Sequence, residues 1–407
     1  MNKNKKLVLI LFATSLLLTA GCGLGNNDYS LRDIFDEEDA REEKQPGIEW
    51  ETVLEDSLYE SQDPEPCPEA EISQVENNYY YMQLSEENQL LYRQILYGIE
   101  NHLHDFPIDA SDADTPHTIY YAVLLDYPDL FWMNGESTVW EINNGESYEL
   151  ELTCTMEEEE IESYRQQIEI NVNEFLSIIP EDADTYTKVK TAYEWIIGHT
   201  DYQSDSLNNQ NILSVLVQNE SVCAGYAKAF QYLMNRLAIP CIYVEGYADG
   251  EPHAWNIVNI DGVYTEVDCT WGEPNFEDAE MHENESIIYD YLCLTTEELS
   301  RTHTPDPPYT YPECVDTSYD YYRLYGTYFD DYDEDALIQA CRNTVDVGGT
   351  HTFLKFASED TFWQAVDAID GDVLDDVAYE KMEWDGLEEY TYTYYCDEDL
   401  WIIKLFW

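Results

Sequence analysis

A cysteine, a histidine and an aspartate stand in one short stretch of the chain at spacings that suit thiol chemistry. Cys223 begins a segment whose apolar residues recur with helical periodicity, and Ser221 just before it is a good N-cap. We therefore expect Cys223 in the first turn of a helix, where unpaired N–H groups and the helix dipole favour a thiolate. Taken alone, the cysteine could equally be a buried structural residue.

The histidine and the aspartate lie on two alternating segments that are joined by Asp261-Gly262, a pair typical of a two-residue hairpin turn. Counting outward from this turn sets His253 opposite Thr270. Asp268 then lies on the same face as His253, on a diagonal within side-chain reach. The register predicts an imidazole–carboxylate pair, which would activate a neighbouring cysteine as a nucleophile.

These residues belong to three blocks that resemble the transglutaminase-like superfamily of papain-like thiol enzymes. The blocks are Cys223-Ala224-Gly225-Tyr226, His253-Ala254-Trp255-Asn256 and Asp268-Cys269-Thr270-Trp271. The resemblance implies Cys223 as the nucleophile, His253 as general base and then acid, and Asp268 as the group that orients the histidine. It covers under a quarter of the chain, and no upstream residue identifies a second oxyanion donor. The expected core is α+β, with the cysteine helix packed on an antiparallel sheet.

The start of the chain has the pattern of a targeting segment. Three lysines precede the apolar stretch 7–20, which is too short to cross a bilayer as a helix. Small residues then lead to Cys22, which resembles a bacterial lipoprotein processing site with Cys22 as the lipidated residue. An ordinary cleaved secretory signal is the alternative. We expect residues 1–22 to be the signal and the mature protein to be lipid-anchored on the extracellular face of the cell membrane.

The charge of the chain restricts its partners. The 86 acidic and 18 basic residues give a formal net charge of −68, which repels nucleic acid and anionic headgroups. We therefore expect no nucleic acid partner and membrane contact only through the lipid. No cofactor is expected, and no metal, because none of the cysteines forms a Cys-x-x-Cys pair. Besides Cys22 and Cys223 the chain has eight cysteines, for which disulfides and free thiols both stay open.

Composition and periodicity divide the rest of the 407 residues into four regions. Residues 23–78 are acidic and rich in proline, which predicts a disordered tether. Residues 79–180 are expected to form a helical or α+β support domain, which could also select substrate. Residues 181–308 form the expected catalytic domain, and residues 309–407 a small α/β domain that ends in a hairpin.

The predicted function is that of a cell-surface thiol acyl-transfer enzyme acting on amide bonds of proteins or peptides, with cell-wall peptide as one candidate. Water as the acceptor would make it a cysteine peptidase or amidase, and an amine would make it a crosslinking transglutaminase. Water is slightly favoured, because no amine-binding groove can be identified. The alternative is a non-enzymatic surface binding module that retains the transglutaminase-like fold.

Overall fold

The computed structural model describes residues 5–8 (backbone only), 75–142, 145–274, 287–386 and 392–407. These residues form β-sheets that are covered by helices. Cys22, the expected lipidation site, and residues 23–74 of the expected tether lie outside the described residues. Within the described residues, no helix combines the length and apolar character that crossing a membrane requires.

The first region is a four-stranded antiparallel sheet with its helices. Its elements are β1 (Lys5–Val8), α1 (Tyr79–Met82), α2 (Glu86–Glu100), β2 (Asp105–Ile108), α3 (Thr115–Asp126), β3 (Met133–Ile142), β4 (Ser147–Cys154) and α4 (Glu158–Ile178). The strand order is β1-β3-β4-β2. Ser85 caps α2 by accepting a hydrogen bond from the N–H of Asn88. Asp126 accepts from the backbone N–H groups of Tyr80 and Tyr81, which ties α1 to α3.

The central region packs helices on a five-stranded antiparallel sheet. Its elements are α5 (Thr185–His199), β5 (Asp201–Tyr202), a π-helical turn (Ser214–Gln218), β6 (Glu220–Ser221), α6 (Cys223–Arg236), β7 (Cys241–Ala248), β8 (Glu251–Ile260), β9 (Val263–Val267), β10 (Leu292–Leu294), α7 (Thr296–Leu299) and β11 (His303–Pro305). The strand order is β10-β9-β8-β7-β11. Helix α6 buries Phe230, Leu233 and Met234 and packs on β7 and β8. This is the expected α+β core, with the cysteine helix on an antiparallel sheet.

The β8–β9 hairpin has the register that the sequence predicts. Asp261 and Gly262 form its turn with φ angles of 52° and 97°, and two positive φ angles are what this two-residue turn requires. Strand β9 ends at Val267, so Asp268 lies just beyond the last paired position. Its N–H donates to the carbonyl of Tyr291 over 3.0 Å, which holds it beside the sheet.

The last region is a second α/β unit. Its elements are α8 (Tyr321–Tyr325), β12 (Tyr328–Phe329), α9 (Glu334–Asp346), β13 (His351–Phe356), α10 (Glu359–Asp370), α11 (Asp375–Asp385), β14 (Thr393–Asp397) and β15 (Ile402–Phe406). The strand order is β12-β13-β15-β14, in which β12 and β13 are parallel and the other pairs antiparallel. One hydrophobic core spans the first and central regions and includes Tyr322, Leu400 and Ile402 of this unit, and a smaller core lies within the unit. The expected boundaries at residues 180 and 308 stay predictions.

Two completely buried lysines join the last sheet to the central region. Lys355 Nζ lies 2.8 Å from Glu298 Oε1 and 2.7 Å from Asp320 Oδ2. Lys404 Nζ lies 2.8 Å from Asp290 Oδ2. Lys404 is on β15 and is covered by Asp290, so both faces of β15 are buried, and not only the face of Ile403 and Leu405.

Candidate active site

Cys223 is the first residue of α6, and it is 2% exposed. The prediction that Ser221 caps this helix is wrong, because Val222 occupies the cap position and contributes no side-chain hydrogen bond. Ser221 is extended in β6, where its carbonyl accepts from the N–H of Gln203 over 2.8 Å. This strand pairing overrides the local preference of serine for the cap. The first turn of α6 receives no side-chain cap, and its dipole favours negative charge at Cys223.

Gly225 lets the segment before α6 approach the helix closely. A Cβ atom at this position would lie 2.0 Å from Ser221 Oγ, 2.4 Å from Ser214 Oγ and 3.0 Å from the carbonyl oxygen of Asn209. No larger residue fits without displacing these groups. The space beside Gly225 is taken by the segment that includes β6.

His253 and Asp268 are in direct contact, on the face that the hairpin register predicts. Nε2 of His253 donates to Oδ2 of Asp268 over 2.7 Å, and both residues are buried. Because Nε2 is engaged by the carboxylate, Nδ1 is the ring nitrogen left for Cys223, whose side chain is one of the groups that raise the pKa of His253. The fold therefore brings all three predicted residues together.

The charges at this site favour a protonated His253 and an ionised Asp268. Burial alone would lower the pKa of His253, but the charge and hydrogen bond of Asp268, together with Cys223, raise that pKa well above its ordinary value. Burial alone would raise the pKa of Asp268, but the charge of His253 and the hydrogen bonds from His253 and His303 lower it well below its ordinary value. An imidazolium beside Cys223 is the partner that stabilises a thiolate.

The backbone after β9 fixes the second oxygen of Asp268. Oδ1 accepts from the N–H of Thr270 over 2.8 Å and from the N–H of Trp271 over 3.2 Å. An aspartate that accepts backbone bonds two and three residues ahead is held in one orientation by its own turn. Oδ2 is thereby aimed at His253.

A second histidine, His303, reaches the same carboxylate oxygen. Its Nε2 lies 3.2 Å from Oδ2 of Asp268, and its side chain is 1% exposed. No sequence pattern indicates this residue. His303 belongs to a three-residue strand, which is too short to show periodicity, and only the pairing of β11 with β7 places it here.

His253, Asp268 and His303 are, among the described residues, the group whose potential ligand atoms lie within 4.8 Å of one another. Histidine and aspartate are residue types that zinc accepts. The two contacts here have hydrogen-bond lengths, and each histidine would have to give up the nitrogen proton that it donates to Asp268 before that nitrogen could bind an ion. The arrangement therefore fits a hydrogen-bonded group.

The two residues after Ala254 link β8 to its surroundings. Asn256 Nδ2 donates to the carbonyl of Ala227 over 3.0 Å, which ties β8 directly to the helix that carries Cys223. Trp255 Nε1 donates to Glu266 Oε2 over 3.0 Å inside the sheet. The distance between the histidine strand and the cysteine helix is thus set by a side-chain bond as well as by packing.

The described cysteines are free thiols. The sequence allowed either disulfides or free thiols, and these residues form no disulfides. Burial raises the pKa of Cys241 and of Cys269 well above the ordinary value, which makes both unreactive. Cys154 is exposed, and it precedes His253 by about a hundred positions in the sequence. Within this set, Cys223 is the thiol that contributes to the raised pKa of His253.

Among known proteins, residues 177–269 match the family model of the transglutaminase-like superfamily. Kyphoscoliosis peptidase of Mus musculus is 25% identical over 123 residues, which are 26% of this chain and 19% of that protein. Kyphoscoliosis peptidase of Homo sapiens is 25% identical over 153 residues, which are 33% of this chain and 23% of that protein. The chain thus spans about a fifth of the length of these relatives. A solved structure described as a TGase aligns with 18% identity and a TM-score of 0.25, covering 33% of this chain and 44% of that chain.

Proposed function

From its transglutaminase-like core at residues 177–269, we propose that the protein is a thiol acyl-transfer enzyme that acts on amide bonds of proteins or peptides. The contact between His253 and Asp268 beside the first residue of α6 is the observation that supports this most. The proposed roles are Cys223 as the nucleophile, His253 as the proton carrier and Asp268 as the group that orients and charges His253.

The proposed reaction begins with attack of the Cys223 thiolate on the amide carbonyl carbon, which forms a C–S bond and moves negative charge to the carbonyl oxygen. The N–H of Cys223 at the start of α6 is a natural donor to that oxygen. His253 then gives its Nδ1 proton to the nitrogen as the C–N bond breaks, and an amine leaves. In the second half, His253 removes a proton from water or an amine, which attacks the thioester and releases Cys223.

Water is the acceptor we favour, which makes the protein a cysteine peptidase or amidase. Hydrolysis needs no binding site for a second substrate, whereas transfer requires a bound amine and a site that excludes water. Incubation with a fluorescent primary amine and a glutamine-rich protein separates the two versions. Covalent labelling that depends on Cys223 would contradict the hydrolase version and favour crosslinking.

We also propose that the protein is anchored outside the cell through a lipid on Cys22. The basic, apolar and small-residue order before Cys22 supports this proposal. Processing at Cys22 would remove β1 and leave β3 as an edge of the first sheet. Metabolic labelling with an alkyne fatty acid, compared between the wild type and Cys22→Ala, tests the anchor, and equal labelling of the two would contradict it.

Alkylation by iodoacetamide across pH tests the proposed enzyme without knowledge of its substrate. The exposed Cys154 serves as an ordinary thiol in the same chain, and peptide mapping distinguishes the two sites. We expect Cys223 to react below about pH 7, where a free cysteine with a pKa near 8.5 is protonated. Cys223→Ala should remove that signal and keep the one from Cys154. A Cys223 that reacts in parallel with Cys154 would favour the binding module instead.

A further inference from the structure

Resting on the proposed function, we propose that His303 is a positioning residue of this site. It donates its Nε2 proton to Oδ2 of Asp268 and so limits how strongly this carboxylate holds the His253 imidazolium. The residue lies 35 positions beyond Asp268 and outside the residues that match the family model.

The sheet is built so that His303 can reach across it. His303 on β11 pairs with Ala248 on β7, and His253 on β8 pairs with Gly246 on β7. Cross-strand partners share a face, and residues two apart on a strand share it as well, so both histidines lie on one face. The β7 residues between them are a glycine and an alanine, which leave room for the imidazole of His303 to cross over the strand.

Neighbouring groups set the tautomer of His303. The Thr302 hydroxyl lies 2.8 Å from Nδ1, and a hydroxyl that donates to Nδ1 leaves the ring proton on Nε2, where Asp268 accepts it. Burial lowers the pKa of His303, and the nearby charge of His253 adds to this, while Asp268 and Asp249 oppose it. His303 is therefore a neutral donor that leaves the charge of Asp268 in place.

Aromatic rings hold His303 in its orientation. Its ring centroid lies 5.2 Å from that of Trp255 and 4.6 Å from that of Trp271, both edge to face. The ring of His253 is 5.2 Å away, again edge to face. A ring enclosed in this way has one direction for its Nε2–H, and that direction is toward Oδ2.

Two donors on one oxygen compete for it. His253 lies 2.7 Å from Oδ2 and His303 lies 3.2 Å from it, so His253 holds the stronger bond and His303 withdraws part of the oxygen's accepting capacity. The other titratable groups that face these residues are Cys223 at His253, Cys269 and Tyr193 at Asp268, and Asp249 at His303. Without the His303 donor, Oδ2 would bind the His253 imidazolium more tightly. His253 would then lose its proton at a higher pH.

The test is the upper inflection of the Cys223 alkylation profile, which reports loss of the His253 proton. His303→Phe keeps an aromatic ring and removes the donor, and we expect the inflection to move up by about 0.5 pH unit or more. His303→Gln keeps an N–H donor near the position of Nε2 and should return the inflection toward the wild-type value. Thr302→Val leaves His303 in place but removes the hydroxyl that holds its Nδ1, and it should move the inflection up by a smaller amount. If His303→Phe does not fold, the Thr302→Val profile tests the proposal in its place.

A His303→Phe profile that superimposes on the wild type would overturn the proposal, because a merely structural histidine changes stability but not this inflection. A profile that moves after dialysis against EDTA and returns with zinc would also overturn it, since the group would then be a metal site. Failure of the proposed function has a different signature: the wild-type Cys223 itself would react like Cys154.

Discussion

Gly246 on β7 lies directly against the backbone of Thr304 on β11. A Cβ atom on Gly246 would stand 2.2 Å from the carbonyl oxygen of Thr304 and 2.9 Å from Cα of Pro305. These are atoms of a paired strand, and they can yield only if the β7–β11 ladder opens. The missing side chain is therefore what allows β11 to lie in the sheet and present His303.

Gly246→Ala is expected to lower the free energy of unfolding by about 1–3 kcal/mol, the usual cost of overpacking. Because β11 would move, it should also shift the upper alkylation inflection in the direction expected for His303→Phe. Urea denaturation and the alkylation profile measure the two effects. The matched control is Gly198→Ala in α5, where a Cβ meets nothing within 4 Å and helix propensity should give a gain of up to about 1 kcal/mol. Equal stability of the two variants would show that β11 does not depend on Gly246.

Asp268→Asn is expected to cost about 10²–10⁴-fold in the rate of Cys223 alkylation at pH 6 and of any peptide hydrolysis. The amide keeps one acceptor, but its NH₂ group faces donors on His253 and His303 that need an acceptor. His253 should lose its proton at lower pH, and the thiolate with it. Asp316→Asn makes the same change at an exposed aspartate, whose Oδ1 also accepts from the N–H two residues ahead, and serves as the comparison. Unchanged alkylation in Asp268→Asn would contradict the role of Asp268.

Glu266 gives the fold a dependence on pH that is separate from the site. Burial raises its pKa from 4.5 to about 7, against the opposing hydrogen bonds of Thr296 and Trp255. Between these values the folded state binds a proton that the unfolded state has released, so stability falls as pH rises from about 4.5 to 7. The loss for this one group is on the order of 3 kcal/mol at 1.36 kcal/mol per pKa unit.

Glu266→Gln should remove this loss, because an amide can accept from Trp255 Nε1 and donate to the Thr296 hydroxyl without titrating. Urea denaturation at pH 5 and pH 8 measures it. The wild type should lose more stability than the variant between the two pH values, and the difference isolates Glu266 from the many surface carboxylates. Equal losses of stability in the wild type and the variant would show that Glu266 is already ionised in the folded protein at pH 5.

Lys355→Met should be strongly destabilising, by about 3–5 kcal/mol, because it leaves Glu298 and Asp320 buried without their cation. Chemical denaturation measures the loss. Adding Glu298→Gln and Asp320→Asn to the same chain should restore much of it by removing the stranded charges. Glu169→Gln, which breaks the largely exposed pair with Arg236, is the surface comparison and should cost less than about 1 kcal/mol. A Lys355→Met chain as stable as the wild type would mean that this contact does not hold the last sheet in place.

Short-range signals predicted the elements that carry the thiol and the imidazole. The apolar stripe of α6 and the Asp261-Gly262 turn each depend on residues a few positions apart, so the cysteine helix, the hairpin register and the face shared by His253 and Asp268 follow from local sequence. Strand β2 has no comparable local signal, since Pro107 argues against a strand. It is tolerated because β2 lies at a sheet edge.

Tertiary structure alone decided what surrounds these residues. Ser221 is drawn from the cap position into a strand by its pairing with the segment after α5. Lys355 and Lys404 become core residues only because Glu298 and Asp290 of the central region pair with them. His303 arrives at Asp268 through hydrogen bonds between β11 and β7, more than 50 residues apart along the chain. The hydrogen bonds between paired strands join backbone groups, so they leave no local pattern in the residue types. For this reason the sequence indicates a Cys–His–Asp group but not the second histidine bound to it.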